Sequence, residues 1–102
     1  MIGRSKWQVK IEREAEDVFK GSKLTPDDRL IIRKWAQTII DQGPESLQAA
    51  PSIWADHALS GEWRGCRASS FSNRGRIIYR VERQIVTVVV IRITTTHDYK
   101  RD

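Results

Sequence analysis

The sequence predicts an α+β sandwich of two layers, in the order β-α-α-β-β-β, with two N-terminal helices on one face of a twisted, mostly antiparallel four-stranded sheet. Three observations predict it. A segment beginning at Thr25 carries helix-start signals followed by one apolar stripe. Residues 76–93 are dominated by β-branched side chains, and Trp7, Val9 and Ile11 alternate with Gln8 and Lys10 near the start of the chain. At 102 residues the chain is sized for a single domain spanning 1–102.

The first alternating segment has the period of a half-buried strand. A short amphipathic helix over about 13–20 follows and stops at Gly21. In Leu24-Thr25-Pro26-Asp27-Asp28, Thr25 suits the cap, Pro26 the first helical position, and the aspartates the positive end of the helix dipole. This second helix runs to about Gln42 and ends at Gly43-Pro44. Ile31, Ile32, Trp35, Ala36, Ile39 and Ile40 form its apolar stripe, which needs a sheet to cover. Residues 44–59 lose the pattern and read as an irregular connection carrying Asp56 and His57.

Residues 62–71 read as the first C-terminal strand, Ser72-Asn73-Arg74-Gly75 as a turn, and 76–81 as the next strand. Glu82-Arg83-Gln84 makes a short hairpin into 85–93, a nearly continuous apolar run that reads as a central strand about 30 Å long. The segment Thr94 to Tyr99 then emerges at the far end of the sheet.

Composition supports one small core: 39% of residues are apolar and 30% charged, which excludes a disordered polyelectrolyte. The formal net charge is +5, and it is unevenly placed. Through Pro51 nine basic residues face eight acidic ones; after it nine face five, and eight of those nine are arginine. Arginine's planar fork holds two phosphate oxygens at once, so the clustering favours a polyanionic partner. A single cysteine, Cys66, offers no internal disulfide, and His57, Cys66 and His97 lack zinc-ligand spacing, so neither metal nor cofactor is expected. The expected protein is soluble and cytosolic, since no window has the length of a membrane span and residues 1–10 lack a signal peptide's apolar stretch.

Several polar groups fall at ends of the expected strands: Asp56 and His57 before the sheet, Arg64 and Arg67 on its first C-terminal strand, Arg76 opening the next, and His97 and Tyr99 after the last. Imidazoles, guanidiniums, a carboxylate and an aromatic ring suit cleavage of RNA through its own 2′-hydroxyl. That reaction needs a base, an acid for the leaving 5′-oxygen, and cations at the phosphoryl oxygens. Histidine serves either proton-transfer role, and tyrosine can stack on an unpaired base. Structural readings stand beside these: His57 as a turn-capping side chain, Arg76 paired with Glu62 or Glu82 across strands, and Cys66 as a small buried strand residue. Trp7, Trp35 and Trp54 read as core anchors, leaving Trp63 as the one tryptophan considered for RNA contact.

The string Asp56-His57-Ala58-Leu59-Ser60-Gly61-Glu62-Trp63-Arg64-Gly65-Cys66-Arg67, then Gly75-Arg76-Ile77-Ile78-Tyr79-Arg80-Val81, then Thr96-His97-Asp98-Tyr99, resembles the RelE/ParE toxin superfamily. Within it the pattern is most similar to YafQ-like and YoeB-like mRNA interferases. The resemblance implies a toxin that enters the ribosomal A site, cuts mRNA without a metal and is neutralised by a cognate antitoxin. Its partners would be that antitoxin, the ribosome and mRNA, with no membrane.

Carried over by position, the resemblance implies His57 and His97 as catalytic histidines and Arg76 as the phosphate-stabilising arginine. Asp56 stands in the neighbourhood of a carboxylate base, Tyr99 resembles the terminal aromatic ring, and Arg64, Arg67 and Lys100 are expected to contact RNA. The pattern also departs from YafQ-like toxins, with Ser70 where they have another histidine and Arg74-Gly75 opposite their Asp-Trp pair. ParE-like members of the fold lack the RNase residues and poison DNA gyrase instead. A gyrase-directed toxin and a basic RNA-binding domain without catalysis therefore remain the alternatives.

Overall fold

A computed structural model describes residues 6–94. Strand β1 (Gln8–Ile11) leads into helices α1 (Arg13–Lys20) and α2 (Pro26–Gln42), as expected. The Thr25 hydroxyl accepts from the Asp28 backbone N–H while the Asp28 carboxylate accepts from that of Thr25, each at 3.0 Å. This reciprocal pair satisfies two otherwise orphaned donors and fixes where α2 starts. Gly43 ends it, its N–H donating to the Ile39 carbonyl at 2.7 Å.

The connection expected to be irregular contains two single-turn helices, α3 (Glu45–Gln48) and α4 (Pro51–Trp54), and a two-residue strand β2 (His57–Ala58). Too short to show periodicity, these elements are held by their contacts: Leu47 and Trp54 are buried in the core. The strand expected over 62–71 is reduced to β3 (Arg67–Ser70), preceded by a 3-10 turn at Gly61–Trp63. Gly61 and Gly65, at φ +68° and +94°, interrupt the extended backbone on either side of that turn. Strands β4 (Gly75–Glu82) and β5 (Ile85–Ile93) form a hairpin closed by Arg83 and Gln84, both at positive φ as primed two-residue turns require.

The sheet thus has five strands rather than four, in the order β1-β5-β4-β3-β2. All neighbours are antiparallel except β1, which lies parallel to β5. The apolar run of β5 is explained by its place between β1 and β4.

The helices and the sheet enclose one core of Ile32, Trp35 and Ile39 from α2 with Ile77, Tyr79, Val86, Val88 and Ile91 from the sheet. Trp35 meets Tyr79 edge to face, with ring centroids 5.3 Å apart. Trp54 belongs to this core and Trp7 packs against it, while Ile31 and Ile40 lie at the exposed margin of the stripe. Strand alternation sends Ala68, Ser70, Arg76, Ile78 and Arg92 to the opposite, helix-free face, so termed because it carries no α-helix among the described residues.

Candidate functional site

Two layers of polar chemistry flank the short strand β2. Beneath it, the Asp56 side chain is fully buried. Its Oδ1 accepts from Arg67 Nε at 2.7 Å, and its Oδ2 accepts from Ser69 Oγ at 2.6 Å and from the Tyr79 hydroxyl. Ser69 Oγ in turn accepts from Trp35 Nε1 at 3.0 Å. A buried carboxylate is costly unless paired and hydrogen-bonded, and here a cation and two hydroxyls meet that need.

The network moves its members' titration. Burial pushes the Tyr79 phenol well above its ordinary value, reinforced by the hydrogen bond to Asp56 and its negative charge. Burial lowers the Arg67 guanidinium, but the bond to Asp56 and the carboxylate's charge outweigh it, leaving a net rise. Asp56 is therefore placed as an enclosed anchor tying the segment before β2 to α2, β3 and β4. This corrects its expectation as a base, because three donors occupy its oxygens and the side chain has no solvent exposure. Arg67 is committed to the same anchor, on the helix side of β3.

His57 lies on the other layer. Ala55, at φ 48° and ψ 39°, takes a left-handed conformation that ends α4, and its carbonyl lies 3.0 Å from His57 Nδ1. A carbonyl only accepts, so this hydrogen bond selects the tautomer protonated at Nδ1 and leaves the Nε2 lone pair for a partner. The His57 residue is exposed.

Register brings His57 and Arg76 to one face. His57 stands opposite Ala68, Ala68 opposite Ile78, and Ile78 opposite Val90. Two residues along the strands, about 7 Å away, the next row on this face is Ser70, Arg76 and Arg92. Arg76 Nη1 donates to the carbonyls of Gly75 at 2.9 Å and Ser72 at 3.2 Å, which steadies it at the sheet's end. The expected pairing of Arg76 with Glu62 or Glu82 is not found: Glu82 lies at the other end of β4, beside Arg80.

Arg92 was not among the residues the sequence singled out. It stands directly opposite Arg76, with its guanidinium 5.9 Å from the centroid of the Trp63 ring. Among the described residues neither Arg76 nor Arg92 has an ion-pair partner. Like charges directly across a sheet repel, and an anion between them removes the conflict. The available signal was Arg92 as the lone charge inside an apolar strand, but only the register sets it against Arg76.

Arg64 lies exposed at the end of the 3-10 turn rather than on a strand, and Cys66 precedes β3, partly buried. Thr94 closes the described chain with its N–H donating to the Arg74 carbonyl at 2.8 Å, at the same end of the sheet as Arg76. The expected site residues His97, Tyr99 and Lys100 lie outside the described residues. Among the described residues no group of three or more His, Cys, Asp or Glu side chains is placed to hold a metal ion. Nor is any described helix long and apolar enough to cross a membrane.

No protein-family model and no curated protein matches the chain. Solved structures do share its fold. The YoeB-YefM complex from Staphylococcus aureus aligns with a TM-score of 0.68 at 13% identity, covering 87% of this chain and 98% of that one. YafQ from E. coli aligns with a TM-score of 0.64 at 16% identity, over 85% of this chain and 92% of that one. The archaeal RelE-RelB complex from Pyrococcus horikoshii aligns with a TM-score of 0.67 at 11% identity, over 89% and 98%.

Proposed function

We propose that this chain, whose fold is that of the RelE, YoeB and YafQ toxins, is the toxin of a type II toxin-antitoxin pair and acts as a metal-independent mRNA endoribonuclease on the ribosome. The observation that carries the reading is the Arg76–Arg92 pair, without a counterion among the described residues, on the same helix-free face as His57. A phosphodiester placed between the two guanidiniums offsets one of their two positive charges and relieves their repulsion, and the next row along this face carries Ala68 with His57 beside it on β2.

In the reaction, His57 Nε2 takes the proton of the RNA 2′-hydroxyl, whose oxygen attacks the adjacent phosphorus. The 5′-oxygen leaves with a proton from His97, giving a 2′,3′-cyclic phosphate and a free 5′-hydroxyl. Arg76 and Arg92 hold the charge that grows on the phosphoryl oxygens. Asp56 keeps β2 in place without touching the substrate. The cognate antitoxin is the expected partner, since two of the structures that share the fold are described as complexes with YefM and RelB.

Inducing the wild type, His57→Ala and His97→Ala in cells while mapping mRNA 5′ ends tests this. The wild type creates new 5′ ends and arrests growth, and both variants lose the new ends. Growth arrest without new 5′ ends contradicts the reading and points to the gyrase-directed alternative.

A further inference from the structure

Seven aromatic residues lie among the described residues, and six of them belong to the helix-side core or pack against it: Trp7, Phe19, Trp35, Trp54, Phe71 and Tyr79. Trp63 alone does not. It ends the 3-10 turn that begins at Gly61, it is only partly buried, and among the described residues its one ring contact is with a cation on the helix-free face, Arg92. A large apolar ring held outside the core, near two guanidiniums that have no ion-pair partner among the described residues, is what an unpaired nucleobase requires, because every base offers a π-face and every nucleotide a phosphate.

We propose that Trp63 is a base-stacking platform for the nucleotide whose phosphate is held by Arg76 and Arg92; the inference rests on the RNA-cleaving reading and deepens it. Arg92 is the shared neighbour of both parts. It stands opposite Arg76 in the sheet and 5.9 Å from the indole centroid, so one guanidinium borders the phosphate position on one side and the ring on the other. A phosphate bound there leaves its attached base within one nucleotide's length of Trp63. The ring is carried by the last residue of the 3-10 turn, whose first residue, Gly61, and the Gly65 that follows the turn hold positive φ, +68° and +94°. Stacking reads a π-surface rather than a hydrogen-bond pattern, so this subsite ranks bases by stacking area, purines ahead of pyrimidines, and discriminates strongly only against a missing base.

The test is anisotropy binding of short single-stranded RNA made uncleavable by 2′-O-methylation, compared with the same oligomer carrying abasic positions. The full chain is used as wild type, Trp63→Phe, Trp63→Leu and Arg76→Gln. The wild type is expected to bind the intact oligomer about tenfold more tightly than the abasic one. Trp63→Phe should retain that preference and Trp63→Leu should abolish it, while Arg76→Gln weakens both oligomers alike. Equal binding of the two oligomers by the wild type overturns the stacking subsite, and this arm needs no variant to fold. If the wild type binds neither oligomer the stacking subsite is overturned, while cleavage on the ribosome stands or falls on the mapping of mRNA 5′ ends; if it binds both with no effect of Arg76→Gln, the phosphate position fails and the subsite falls with it.

Discussion

Ser69 gives its hydroxyl proton to Asp56 at 2.6 Å while accepting from Trp35 at 3.0 Å, so a single buried oxygen joins the long helix to the segment that carries His57. Removing that oxygen leaves the Trp35 N–H without its partner and strips one donor from a buried carboxylate. Ser69→Ala is therefore expected to cost about 1–3 kcal/mol of stability, and Asp56→Ala about 3 kcal/mol or more, since it also breaks the pair with Arg67. Chemical denaturation followed by tryptophan fluorescence measures both.

Tyr79 gives this network a pH signature. Its folded-state titration lies above the ordinary phenol value of about 10, so the group's contribution to stability is complete below pH ~10. Above that pH the unfolded chain loses the phenolic proton while the folded one keeps it, and the contribution falls as pH rises toward the shifted value. The stability difference between the wild type and Tyr79→Phe should stay constant up to about pH 10 and then shrink by up to about 1.4 kcal/mol per pH unit. Denaturation at a series of pH values checks it.

Ala55 holds a left-handed backbone that glycine adopts freely. Ala55→Gly should stabilise the fold by about 1 kcal/mol while leaving the carbonyl that orients His57 in place. Thermal melts read the gain, and mRNA 5′-end mapping under the proposed function reads whether the geometry at His57 is preserved.

Arg76 and Arg92 share one phosphate, so together they should release about one counterion equivalent on binding RNA. Replacing both with glutamine should reduce the slope of log affinity against log salt by about one, and replacing either alone by less, with no change in base preference. Arg80, paired with Glu12 at 3.4 Å at the other end of the sheet, serves as the control whose substitution leaves the slope unchanged.

Much of this arrangement is legible in the sequence, because local signals dominate where the chain is regular. Thr25 and Pro26 mark the start of α2 and Gly43 its end, and the apolar run of 85–93 marks the central strand. His57 and Arg76 are visible through the motifs around them. What escapes is decided by pairing across the chain. Strand β2 exists because His57 and Ala58 bond to β3, and two residues carry no period of their own. Asp56 sits beside His57 in sequence, yet alternation turns its side chain to the opposite layer, where three distant donors enclose it. Arg92 reads as one polar interruption of an apolar strand until the register places it against Arg76.

The proposed function puts RNA cleavage on one helix-free face, with His57 and two facing arginines. The decisive measurement is the rate at which the purified chain cuts a message bound in the ribosomal A site, comparing the wild type with Arg76→Ala, Arg92→Ala and the double variant. The expected loss is about 100-fold or more for each single variant, with cleavage near background for the double one. Cleavage by a folded double variant at a rate close to the wild type would contradict it.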